Sequence, residues 1–192
     1  WLAPLLLELG FKRSALADGV GEAVEAEHAI VFLGCFREAS SILHEIELRS
    51  KGRVGRGLFG QILVIDFNPV VLQELKRRDI KCLYGDIAHM DTLHHAQIHS
   101  ARIVACTISD NILRGTTNLR LLQQAQRLCP RAAVIVATDH IPSAIELYEN
   151  GADFVYIARL HSASYMAELI AHVVHDNDGF EVYRKEELEL LK

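Results

Sequence analysis

The sequence predicts an α/β fold, a doubly wound six-stranded parallel sheet with a C-terminal crossover helix. Three observations carry it. Short apolar runs recur along the chain, helix-like segments separate them, and most runs end on Gly, Asp, Asn or Ser. Runs this continuously apolar need cover on both faces, which a parallel sheet flanked by helices supplies. Polar residues just past the carboxyl ends of such strands line the ligand crevice.

The first run, Ala29–Leu33, leads into a helix from about Arg37 to Arg49, and Ile62–Ile65 into one from about Pro69 to Arg78. Lys81–Tyr84 precedes a helix near Asp91–Ile98. Arg102–Thr107 precedes one near Thr116–Leu128, and Ala132–Ala137 one near Pro142–Asn150. Phe154–Ile157 is the sixth strand, followed by a long helix from about Ser162 to His175. On that helix Tyr165, Met166, Leu169, Ile170 and Val173 recur at helical spacing and form an apolar stripe.

Two segments interrupt the rhythm. Ser50–Gly60 carries Gly52, Gly55, Gly57 and Gly60 with Lys51, Arg53 and Arg56, the composition of a solvated surface loop. Leu113–Asn118 offers hydroxyls, an amide and a guanidinium suited to a phosphate, although a plain N-cap by Thr116 or Thr117 explains most of it.

The chain divides into a linker and N-terminal segment over 1–27, a domain over 28–176 and a charged tail over 177–192 that is either a short helix or disordered. Trp1 in place of a methionine suggests a piece of a longer polypeptide. With 192 residues, half of them hydrophobic, the chain can bury a substantial core. A net charge of −5 with interspersed signs gives no reason to expect nucleic acid. No run approaches the roughly 20 apolar residues of a membrane span. Cys35, Cys82, Cys106 and Cys129 are far apart and read as buried thiols of a reducing compartment. A reactive Cys35 at a helix start is the alternative.

Function concentrates in the stretch His28–Ala39, HAIVFLGCFREA. A strand running into Gly34, with Asp66 ending the next strand, is the corner of a Rossmann-like unit. Backbone amides at a helix start face a phosphate there, and an acid reaches a ribose hydroxyl. Against G-x-G-x-x-G, the run Gly34–Ala39 keeps the first glycine, takes Ala39 as the third and puts Phe36 where the second admits a pyrophosphate.

Enzyme chemistry is less well served. His95 and His99 have i, i+4 spacing, yet no neighbouring Glu or Cys completes a metal site. Ser40 and Ser41 lie within a helix rather than on a strained elbow. A dehydrogenase needs a second domain, for which the chain leaves little room.

The strand ending in Gly34, VIDFNP around Asp66, YGDIAHMDTL after the third strand and CTISDN after the fourth together resemble the RCK domain, also called TrkA-N, over about His28–His175. RGTTNLRLL is most similar to the C-terminal cytoplasmic domains of monovalent cation:proton antiporters, including glutathione-regulated potassium efflux systems. The resemblance implies a non-enzymatic regulatory domain on the cytoplasmic face of a bacterial inner membrane. A membrane-embedded transporter would belong to the same polypeptide, and two copies would pair through Ser162–His175.

It also implies a nucleotide site. Gly34, Cys35, Phe36, Arg37 and Glu38 would form the phosphate turn, and Asp66, Phe67 and Asn68 the ribose-side strand end. Gly85, Asp86 and Ile87 would lie against adenine, and Ser109 and Asp110 would form the far wall. Phe36 shifts the expected ligand from NAD to AMP or another adenine mononucleotide, or to no ligand. A stand-alone NAD(P)-dependent oxidoreductase subunit and a ligand-free dimerisation module are the competing readings.

Overall fold

A computed structural model describes residues 28–50, 57–176 and 179–190. The 1–27 linker lies outside them, as does most of the glycine-rich loop, and both expectations stay untested. Six parallel strands form one sheet: β1 (Ile30–Leu33), β2 (Ile62–Asp66), β3 (Lys81–Tyr84), β4 (Ile103–Cys106), β5 (Ala133–Ala137) and β6 (Phe154–Tyr156). Their order is β3-β2-β1-β4-β5-β6, so the winding reverses between β1 and β4. In such sheets a crevice opens at that switch point.

The helices α1 (Arg37–Ser50), α2 (Pro69–Arg77), α3 (Met90–His95), α4 (Asn118–Leu128) and α5 (Ile141–Glu149) follow the first five strands. Alternation along β1 divides the core. Ile30 and Phe32 pack with Ala39 and Leu43 of α1 and Leu72 and Leu75 of α2. Val31 and Leu33 face the other way, toward Leu93 of α3, Leu121, Leu122 and Ala125 of α4, and Ala144 and Leu147 of α5. A strand side chain changes face at every residue, so four consecutive apolar residues serve both layers.

Local signals set the helix starts. Asn68 accepts from the Val70 amide at 3.0 Å while Pro69 opens α2, and Thr117 accepts from the Arg120 amide at 3.2 Å to cap α4. Thr117, rather than Thr116, is therefore the cap. The half-buried pair Arg78–Glu47, at 2.7 Å, ties the end of α2 to α1.

The structure departs from the sequence reading in several places. The third helix is split, with α3 ending at His95 and a separate 3-10 turn at Ile98–Ser100, because Gln97 between them is left-handed at φ 51°. β3 is an edge strand with Lys81 and Tyr84 exposed and with Cys82 and Leu83 only partly buried, one against each core layer. The long helix α6 runs Ala158–Asp176, starting four residues before the expected Ser162. Within the tail, α7 spans Glu181–Leu190 and decides for a helix there.

Candidate functional site

The crevice corner is built around one carboxylate. Asp66, the last residue of β2, is buried. Its Oδ2 accepts from the Cys35 amide at 2.7 Å and its Oδ1 from the Asn68 amide, also at 2.7 Å. The Asp66 carbonyl accepts from the Gly85 amide at 3.0 Å, and the Gly34 amide donates to the Ile65 carbonyl at 2.8 Å. Asp66 thus joins the turns after β1, β2 and β3. Each carboxylate oxygen retains a second lone pair with which to accept a hydroxyl.

Gly34 sits in the turn at φ +81°, in the left-handed region that only glycine enters cheaply. A Cβ there would overlap Ile108 Cδ1 and come within 3.5 Å of Ile87 Cδ1. These two isoleucines, from the loops after β4 and β3, occupy the space above the first glycine. Phe36 points elsewhere. It is half-exposed and lies under the Arg37 guanidinium, whose Cζ is 5.5 Å from the ring centre. Ile108 and Ile87, rather than Phe36, are the side chains nearest the space above Gly34. Neighbouring Glu38 places a carboxylate in the first turn of α1.

The Cys35 thiol is pushed up to about 11, first by burial and then by the Asp66 carboxylate, with Arg78 opposing. Burial and the neighbouring carboxylate both disfavour the thiolate that a reactive cysteine needs. Phe67 is 63 % exposed beside these turns. Asp86 accepts from the Ala88 amide at 2.9 Å and stands 3.5 Å from His89.

On the β4–β5 side the wall is made of side chains. Ser109 Oγ donates to Asp139 Oδ2, and Asn111 Nδ2 reaches the same oxygen at 3.3 Å. Arg159 Nε donates to the Asp139 carbonyl at 3.3 Å. Asp110 accepts from the Asn118 amide at 2.6 Å, while Asn118 Nδ2 donates to the Ile108 carbonyl at 2.8 Å. Three buried oxygens here, Thr107 Oγ1, Thr116 Oγ1 and Asn118 Oδ1, have no partner among the described residues.

All thirteen residues expected to bind thus stand at or just past the carboxyl ends of β1–β4, with Asp66 closing β2 and Arg37 and Glu38 opening α1. Asn118, the amide of the stretch read as suited to a phosphate, is in this wall, whereas Ile108, Asp139 and Arg159 were missed. Asp139 stands two residues past the end of β5, much as Asp66 closes β2, and that signal was available for it. Among the described residues no group of three His, Cys, Asp or Glu side chains is placed to hold a metal.

The comparisons with known proteins bear on the family and the fold. The TrkA-N domain family matches residues 31–158, from β1 to the start of α6. The chain belongs to the TrkA-N family. Solved structures share its fold. The TrkA-N domain of the inner membrane protein YbaL from Escherichia coli is 21% identical with a TM-score of 0.59, over 75% of this chain and 96% of that one. A C-terminal domain of Kef from Shewanella denitrificans in AMP-bound form is 15% identical with a TM-score of 0.54, over 84% and 94%. The GsuK channel bound to NAD is 17% identical with a TM-score of 0.53, over 80% of this chain and 26% of the channel chain. No curated protein matches this chain.

Proposed function

We propose that this TrkA-N domain senses an adenine mononucleotide, AMP being the type ligand, and regulates a monovalent cation transporter of the cation:proton antiporter kind. The observation that supports it most is the Asp66 clamp. A carboxylate that holds the Cys35 and Asn68 amides keeps the turn shaped without a ligand and offers its remaining lone pairs to a ribose. Beyond Cys35, the first amides of α1 have no intrahelical acceptor and face a phosphate at the positive helix end, with Arg37 alongside.

Ile108 and Ile87 over Gly34 favour one phosphate over two, because a pyrophosphate follows the path these side chains fill. At the crevice corner burial disfavours the Cys35 thiolate, and the Asp66 carboxylate is engaged by two amides. This supports regulation rather than catalysis. Two copies pair through α6, whose Tyr165, Met166 and Ile170 are each about half exposed. The ligand shifts the arrangement of the pair by its differential affinity for two states, and the segment before His28 passes the shift to a membrane-embedded part at the cytoplasmic face of a bacterial inner membrane.

Calorimetry with AMP and NAD tests the reading. The parent chain is expected to bind AMP more tightly than NAD, and Ile108→Ala to close that gap by roughly tenfold. Failure of both nucleotides to bind a dimeric parent establishes the second reading, a ligand-free dimerisation module, which the two isoleucines also favour.

A further inference from the structure

On the face of the sheet opposite α1 and α2, α3 and α4 flank an open groove of about 380 Å³. Met90 stands at its α3 side, and one face of α4 supplies Arg120, Gln123, Gln124 and Arg127. The i, i+4 and i+7 spacing places Arg120, Gln124 and Arg127 in one row, with the two arginine Cα atoms about 10 Å apart along the axis. Both arginines are exposed, and neither has an ion-pair partner among the described residues. Gln124 between them is 8% exposed, and its Oε1 is buried with no hydrogen-bond partner among the described residues.

A glutamine shut under a helix surface with an orphaned oxygen is unusual, because buried polar atoms are normally satisfied. Rotation about its terminal amide torsion is soft and turns that oxygen outward to a donor in the groove. The guanidiniums on either side call for acidic groups, to which arginine bonds in a fork. We propose that the α3–α4 groove binds a small hydroxylated polyanion, its acidic groups on Arg120 and Arg127 and its hydroxyl donating to Gln124. The volume suits a metabolite of this size. The site is separate from the crevice corner at Asp66 and does not depend on nucleotide binding there.

Citrate is the probe, and tricarballylate, the same tricarboxylate without the hydroxyl, is its control. Calorimetry is expected to show citrate binding at least about threefold more tightly than tricarballylate, the worth of one hydrogen bond. Gln124→Leu should abolish that preference, and the double variant Arg120→Gln, Arg127→Gln should weaken citrate by roughly tenfold or more. Both arginines are exposed, so the double variant keeps its fold, which its amide spectrum verifies. In the parent, citrate should shift amide resonances of α4 and leave those of Cys35 and Asn68 in place. The assignment is overturned by an absence of citrate binding, by equal affinity for the two acids, by binding that survives loss of both arginines, or by shifts centred on the Cys35–Asn68 turn.

Discussion

In the β1–β3 half of the crevice one residue, Asp66, joins three backbone turns, two through its carboxylate and the third through its carbonyl. In the β4–β6 half the loops are held by side chains, through Ser109, Asn111 and Arg159 on Asp139 and through Asn118 on Ile108 and Asp110. The first half leaves few polar atoms unanswered, whereas the second strands three buried oxygens on Thr107, Thr116 and Asn118. The difference teaches a division of labour. A backbone turn fixed by amide bonds is preorganised, while a side-chain web with spare acceptors adapts to what enters.

The comparison breaks most visibly at its stiffest point. Gly34→Ala combines a positive φ with a clash against Ile108, and chemical denaturation is expected to show a loss of about 3 kcal/mol. Adding Ile108→Ala should restore part of that loss, since the clash lies at the end of a flexible side chain. Asp66→Ala comes next. It strands the Cys35 and Asn68 amides and should cost about 2 kcal/mol, with Asp66→Asn recovering roughly half. Any loss of nucleotide affinity in the alanine variant must therefore be read beside its melting temperature.

On the adaptable side, Asn118→Ala removes the bond to the Ile108 carbonyl but also an unanswered oxygen, and should cost only about 1 kcal/mol in the same assay. A loss equal to that of Asp66→Ala would erase the distinction between the halves. The smallest effect is chemical. Burial raises the Cys35 thiol from 9.0 to about 11, so the folded state favours the protonated form. That contribution is complete below pH 9 and is lost as pH climbs toward 11. Iodoacetamide labelling of Cys35 in the folded protein should be slow at neutral pH and rise only through that window; rapid labelling at pH 7 would contradict the burial account.

Much of this architecture is legible in the amino-acid pattern. The six apolar runs become the six strands, and Asp66 falls at the strand end where its chemistry is needed, because period and punctuation are local properties. What escapes is whatever depends on side chains distant in sequence meeting. Nothing near Gly34 announces that Ile108 fills the space above it, and nothing near Asp66 announces that its first partners are amides of this chain. The early start of α6 escapes for a simpler reason. Ala158, Arg159 and Leu160 form helices readily but carry no capping residue, so the first serine looked like the boundary.

The nineteen residues of α6 have a mechanical consequence. At 1.5 Å per residue the rod is about 28 Å long. A tilt of about 10° at its Ala158 end sweeps the far end through about 5 Å, roughly one helical turn. Arg159, on its first turn, grips the Asp139 carbonyl in the crevice wall. A displacement too slight to notice at that anchor arrives at the other tip as a stroke, magnified by leverage alone.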